Sequence, residues 1–205
     1  MAEGRLRKTT KKYAEGFRPK FHPNELRKSF KPNEFVFVCD MGDAFGDWVP
    51  EDWILRVLEV IRRHPKTTFL FLTKNPKRYW AMKNILCTFR NTIFGATIET
   101  DDDKLYVSRK ISSAPPPSER IEYMRSLRFL RRMVSVEPVI RFTPKFWEHI
   151  VGIEPEFVYV GYDNYNNKLP EPPLSKTLEL IDKLEEHGMT VYTKTMRRAW
   201  WEQWR

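Results

Sequence analysis

Six times along the chain a short apolar run ends in a polar or charged residue and gives way to a helical stretch: residues 35–40, 68–74, 92–99, 132–137, 157–163 and 190–194. The runs are rich in Val, Ile and Phe, as parallel strands buried on both faces are. This repetition predicts an α/β fold, a parallel β-sheet curved into a partial barrel of about six strand–helix units. Ligands of such folds gather at the carboxyl ends of the strands. Here those ends carry Asp40, Lys74, Glu99, Glu137, Asp163 and Lys194, so one rim collects charges that a packed interior would reject.

Alternation along a strand turns every second side chain to one face, so each end offers at most one inward group. Asp43, Lys74, Glu99, Ser135, Glu137 and Lys194 are the candidate cofactor-binding residues of the rim. Carboxylates there suit amines and ribose hydroxyls, and lysines suit carboxylate or phosphate. The competing reading is a network of paired charges that closes the top of the barrel. A charged end on every strand is more regular than closure requires, which favours a pocket. The identity of its ligand does not follow from these residues. In an iron-free barrel enzyme, Asp43, Glu99 or Glu137 would be the acid–base groups.

With 205 residues, 41% of them hydrophobic, the chain can bury a substantial core. No apolar run approaches the roughly 20 residues that span a bilayer, and no signal peptide precedes the basic start, so a cytoplasmic location is expected. The two cysteines, Cys39 and Cys87, read as reduced core thiols. They are too few for a disulfide framework, and alone they supply no metal or iron–sulfur site. The four histidines show no metal-ligand spacing, and His64 and His187 sit where helices end. Hydrolase and nucleotide-triphosphatase readings lose ground, because the chain has neither a nucleophile elbow nor a glycine-rich phosphate loop.

The net charge of +9 is unevenly placed: residues 1–30 hold nine basic against three acidic side chains. The expected organisation is a basic amino-terminal arm over 1–30 followed by a single partial-barrel domain over 31–205. Arg5, Arg7, Lys8, Lys11 and Lys12 of the arm, with Arg197, Arg198 and Trp201 near the carboxyl terminus, form a candidate nucleic-acid-binding set. A solvated basic helix over 2–14 accounts for the arm equally well. Trp200 and Trp204, four residues apart, fit one helical face packed on the sheet.

Helices are expected between the strands. Pro50 opens one whose Trp53, Val57, Val60 and Ile61 face the sheet. Asn75 and Pro76 start another that carries Tyr79, Trp80 and Met82 inward. A helical turn is expected near 105–109, then a helix over 118–127 capped by Ser118. A short helix should end near Ile150, and 164–173 reads as a polar loop over the rim. The clearest amphipathic helix covers 175–186 and stops at Gly188.

Several segments, taken in order, resemble a known group. They are Phe17-Arg-Pro-Lys-Phe-His-Pro23, Val38-Cys-Asp-Met-Gly-Asp-Ala-Phe45, Val49-Pro-Glu-Asp-Trp53, Phe71-Leu-Thr-Lys-Asn-Pro76, Gly95-Ala-Thr-Ile-Glu99, Ser135-Val-Glu-Pro-Val139, Val160-Gly161 and Tyr192-Thr-Lys194. The set is similar to a phage-associated family related to radical S-adenosylmethionine enzymes of the spore photoproduct lyase kind. The resemblance implies a partial barrel that holds S-adenosylmethionine beside a four-iron–four-sulfur cluster and acts on nucleic acid or a nucleotide. By analogy, Ser135 or Glu137 would hold the cofactor's ribose or amino group. The family pattern also has a cysteine cluster upstream of the first segment, and this chain has no cysteine before Cys39. As written, the chain is therefore expected to hold neither cofactor and to be inactive in radical chemistry. Both would be expected of a chain extended upstream. Two explanations compete: a start upstream of Met1, which the surviving rim residues favour, or loss of the cluster from a pocket-bearing remnant. The alternative function is a non-catalytic nucleic-acid-binding protein, and an uncovered sheet edge would favour self-association.

Overall fold

Every expected apolar run becomes a strand, five of them shortened and the fourth shifted back by one residue. The computed structural model describes Gly16 and residues 19–202. Its strands are β1 (Phe35–Phe37), β2 (Thr68–Thr73), β3 (Thr92–Thr97), β4 (Arg131–Val136), β5 (Phe157–Gly161) and β6 (Val191–Lys194). They form one sheet in sequential order, parallel throughout. Each connection therefore moves one strand along, and the twisted sheet curls into a half-barrel with helices between the strands.

The connecting helices are α1 (Glu51–Arg62), α2 (Lys77–Ala81), α3 (Lys83–Leu86), α4 (Asp103–Ser108), α5 (Pro117–Ser126), α6 (Phe146–Val151) and α7 (Leu174–Glu186). Their apolar residues pack on one face of the sheet. Ile54, Leu58, Tyr79, Ile121, Met124, Leu180 and Leu184 meet Phe69, Phe71, Phe94, Val134, Val136, Val158 and Val160 in one continuous core. The opposite, concave face carries a smaller cluster of Leu70, Ile93 and Met133, flanked by Leu72, Phe157 and Tyr159. Among the described residues no helix is long and apolar enough to cross a membrane.

Several local expectations change. The face of α1 turned to the sheet is set by Ile54, Leu58 and Ile61, with Val60 also buried. Trp53 is only half-buried and stacks on Phe21 with ring centroids 5.3 Å apart. Trp80 points outward, whereas Tyr79 and Met82 are buried as expected. α5 begins at Pro117 after an extended Pro116, and no side chain caps it. The Ser118 hydroxyl instead donates to Asp103 at 2.5 Å. Cys39 lies exposed beyond the end of β1 with φ of 57°, because the strand stops at Phe37, and Cys87 is half-buried. Cys39 is thus not a core thiol, whereas Cys87 packs against the edge of the core. The helix expected over 2–14 lies outside the described residues, and so do Arg5, Arg7, Lys8, Lys11, Lys12 and Trp204.

Candidate functional site

The turn after β1 is built around one carboxylate. Asp43 Oδ1 accepts from the Phe45 amide at 2.9 Å, and Oδ2 accepts from the Thr73 hydroxyl and the Lys74 amide, both at 2.9 Å. A carboxylate with three such donors fixes the loop after β1 against the end of β2. Asn75 completes the joint, donating through Nδ2 to the Phe45 carbonyl at 3.2 Å and to Asp47 at 2.7 Å. Arg78 reaches the same loop and donates to the carbonyls of Gly46 at 2.7 Å and Val49 at 2.6 Å. Beneath it, the Tyr79 hydroxyl donates to the Gly95 carbonyl at 3.0 Å. Complete burial, reinforced by the nearby Asp43 charge, pushes the Tyr79 phenol well above its ordinary pKa and keeps it neutral.

Glu99, just past the end of β3, is the hub of the second cluster. Its side chain is 1% exposed and pairs with Arg120, itself wholly buried, at 2.6 Å. The other carboxylate oxygen pairs with the Lys74 ammonium. Arg120 uses its remaining donors on the carbonyls of Thr97 at 2.8 Å and Pro115 at 2.7 Å and on the Tyr106 hydroxyl. Two cations on one buried carboxylate compensate its desolvation, and Arg120 spreads its own charge over four acceptors. Lys74 is the member that reaches outward, with 34% of its side chain exposed.

The third cluster sits at the ends of β4 to β6. Ser135 donates to Glu137 Oε2 at 3.1 Å, and Lys194 pairs with the same oxygen at 3.3 Å. Gly161, opposite Lys194 in register, permits this closeness, because a Cβ there would run into the Lys194 carbonyl and sit 3.2 Å from Glu137 Oε1. Lys194 Nζ also lies 4.1 Å from the ring centroid of Tyr159.

A cleft of about 350 Å³ opens over the ends of the first three strands. Phe37 and Leu72 line it with Asp40, Asp43, Asp47, Trp48, Thr73, Lys74, Asn75 and Thr97, and residues 112–115 form its far wall. Of the six expected rim residues, Asp43 and Lys74 line this cleft, and Glu99 is held behind Lys74. Ser135, Glu137 and Lys194 form their own group on the other half of the rim. Asp163 serves its own loop, accepting from the Tyr165 amide at 3.1 Å and the Asn167 amide at 2.6 Å.

Sequence reasoning missed Arg120, Tyr106 and Asn75. Arg120 had a readable signal: it shares the buried face of α5 with Pro117, Ile121 and Met124, and an arginine on an apolar stripe requires a carboxylate partner. Near the carboxyl terminus, Arg197 forms a bidentate pair with buried Glu171 at 2.6 and 2.8 Å. That pairing raises its pKa further. Trp201 is partly exposed, and its indole nitrogen donates to the Glu171 carbonyl at 3.0 Å. Arg198 is exposed.

Residues 2–154 match the family described as protein of unknown function (DUF5131), which is more than half of the chain. The chain belongs to that family. No curated protein matches this DUF5131 member. Its half-barrel is similar to several solved structures. SuiB of Streptococcus suis bound to a precursor peptide, SuiA, is 11% identical with a TM-score of 0.50, over 78% of this chain and 37% of that one. SuiB bound to S-adenosylmethionine is 10% identical with the same TM-score of 0.50, over 78% and 39%. A radical S-adenosylmethionine methyltransferase from Sphaerobacter thermophilus is 12% identical with a TM-score of 0.50, over 84% and 53%. This chain thus spans about 37–53% of their lengths, and at such identities the likeness is one of fold.

An iron–sulfur cluster does not fit the residues present. The 205 residues hold two thiols, and among the described residues no group of three His, Cys, Asp or Glu side chains is placed to hold a metal. An adenosyl cofactor does fit: the cleft is of small-molecule size, with carboxylates and an ammonium on its walls and apolar Phe37 and Leu72 among its lining.

Proposed function

We propose that the concave rim binds S-adenosylmethionine or a closely related adenosyl compound. The chain would then be the ligand-binding body of a radical S-adenosylmethionine-type enzyme, of the kind the ordered segments resemble. The observation that carries the reading is the arrangement of charge at the cleft. Lys74 is held by buried Glu99 with a third of its side chain still exposed, beside the acidic loop of Asp40, Asp43 and Asp47. The fold shared with the S-adenosylmethionine-bound structure of SuiB supports it further.

In this reading Lys74 takes the ligand's carboxylate, and Asp40 takes its amino group. Asp43 positions the loop, since its oxygens are already used by three donors. Glu137, on the other half of the rim with 23% of its side chain exposed, takes the ribose in this reading. When bound, the cofactor supplies an activated sulfonium centre, and this chain's residues bind and orient it. Without cluster ligands among these residues, no radical step is assigned to them.

The test is calorimetric titration of the chain with S-adenosylhomocysteine, a stable analogue that needs no iron. Binding is expected, weakened about tenfold or more by Lys74→Ala or Glu137→Gln, as loss of a charged hydrogen bond requires. Absence of binding at millimolar ligand, or binding indifferent to both substitutions, would reject the reading.

A further inference from the structure

The concave face carries a second surface that the cleft does not use. Phe157 and Tyr159 of β5 and Tyr192 of β6 stand there as a contiguous aromatic group. Their ring centroids are 5.5 Å (Phe157–Tyr159), 5.8 Å (Phe157–Tyr192) and 5.4 Å (Tyr159–Tyr192) apart. Register explains the grouping, because Tyr159 lies opposite Tyr192 on one side and Ser135 on the other. On the opposite face of the sheet, Val158 and Val160 are fully buried under helices. Here Tyr192 is 49% exposed, while Phe157 and Tyr159 are half-buried beside it against Leu70, Ile93 and Met133. An exposed aromatic ring backed by two half-buried ones on a concave wall offers a binding surface.

The chemistry beside the rings narrows the occupant. The Lys194 ammonium stands 4.1 Å above the Tyr159 ring and is held at 3.3 Å by Glu137, with about half of its side chain exposed. The rings are inclined to one another, Tyr192 by 39° to Tyr159 and by 70° to Phe157, so the face on offer is that of Tyr192, with a cation over its neighbour; that pairing suits a planar ring that carries an anionic group. The net charge of +9 draws polyanions towards the molecule as a whole.

We propose that Tyr192, with Tyr159 and Phe157, is a stacking platform for a nucleobase, and that Lys194 meets the phosphate attached to it. The substrate of the concave site is thus a nucleotide, free or within a single strand. The inference deepens the cofactor reading by assigning the other half of the same concave face. It does not need the cleft to bind S-adenosylmethionine.

Fluorescence anisotropy of a short fluorescein-labelled oligothymidylate, titrated with the full chain, tests it. Saturating S-adenosylhomocysteine is present in one arm and absent in the other. Binding is expected in both arms, at least about fivefold weaker in Tyr192→Leu, the least effect of losing one base–aromatic stack. Lys194→Gln should lower affinity and flatten its salt dependence. Thymidine monophosphate as competitor separates the sources: efficient displacement indicates a free nucleotide, and weak displacement a strand. Circular dichroism on each variant confirms that the fold is intact.

Three results would overturn the proposal: no binding of the probe, affinity unchanged in a folded Tyr192→Leu, or displacement by S-adenosylhomocysteine with Tyr192→Leu weakening both ligands alike. The last would give the rings to the cofactor's own adenine. Probe binding through Tyr192 with no S-adenosylhomocysteine binding would remove the cofactor reading and leave this one standing.

Discussion

Glu99 joins the cleft to the interior of the molecule. It holds Lys74 towards the cleft and at the same time neutralises Arg120, whose side chain has no exposure. Replacing it with glutamine removes the negative charge while keeping the shape, so Arg120 is left as a buried cation without a counter-charge. Glu99→Gln should therefore cost about 3 kcal/mol or more of folding stability, the range for breaking a buried ion pair. Denaturant unfolding followed by circular dichroism measures this, and a change within about 0.5 kcal/mol, typical of a surface substitution, would show that the network is not structural. At this scale the sequence was legible where chemistry and strand position coincide. Lys74, Glu99, Glu137 and Lys194 all stand at strand ends, and each takes part in a rim contact. Their pairings were not legible, because Lys74 meets Glu99 across 25 residues and Lys194 meets Glu137 across 57.

At the scale of the element, hydrophobic pattern located the strands to within a few residues and fixed less about which helix side turns inward. α1 shows why. Trp53 is apolar enough to be counted as core, yet the helix rotates so that Ile54, Leu58 and Ile61 meet the sheet while Trp53 stacks on Phe21 at its margin. Branched and linear aliphatic side chains fill the helix–sheet gap, and a large ring is accommodated where the packing is open. Between β5 and β6 the constraint is closer still. Gly161 faces the Lys194 carbonyl with no room for a Cβ. Gly161→Ala should push β6 away, destabilising the chain by about 1–3 kcal/mol. The same shift would loosen the contact between Lys194 and Glu137. Thermal unfolding measures the first effect, and an unchanged melting temperature would mean that β6 shifts without cost. Arg120 belongs to this scale as well, since its position on the buried stripe of α5 was open to reading from periodicity alone.

Across the whole molecule, the sheet is graded from centre to edge. Every residue of β3 is buried, whereas β1 and β6, each paired on one side among the described residues, are mostly exposed. Native-state hydrogen exchange should follow that order. Amides of β3 and β4 should exchange slowest, at a rate set by global unfolding, and those of β1 and β6 should exchange first. Uniform protection across the sheet would show that the edges are covered in solution, either by residues outside those described or by a second copy.

Order and repetition in the sequence determined that this chain is a parallel α/β half-barrel with its charges on one rim. Strand identity and polar strand ends are local properties, fixed by side-chain type within a few residues. The tertiary structure alone decided how that rim divides. Sheet curvature brought Lys74 and the Asp40–Asp47 loop around one cleft, and set Tyr159 beside Tyr192 and beneath Lys194. Those neighbours come from different strand–helix units. Their meeting depends on register, on the crossover between strands and on the space left by one glycine, and no sequence window contains all three.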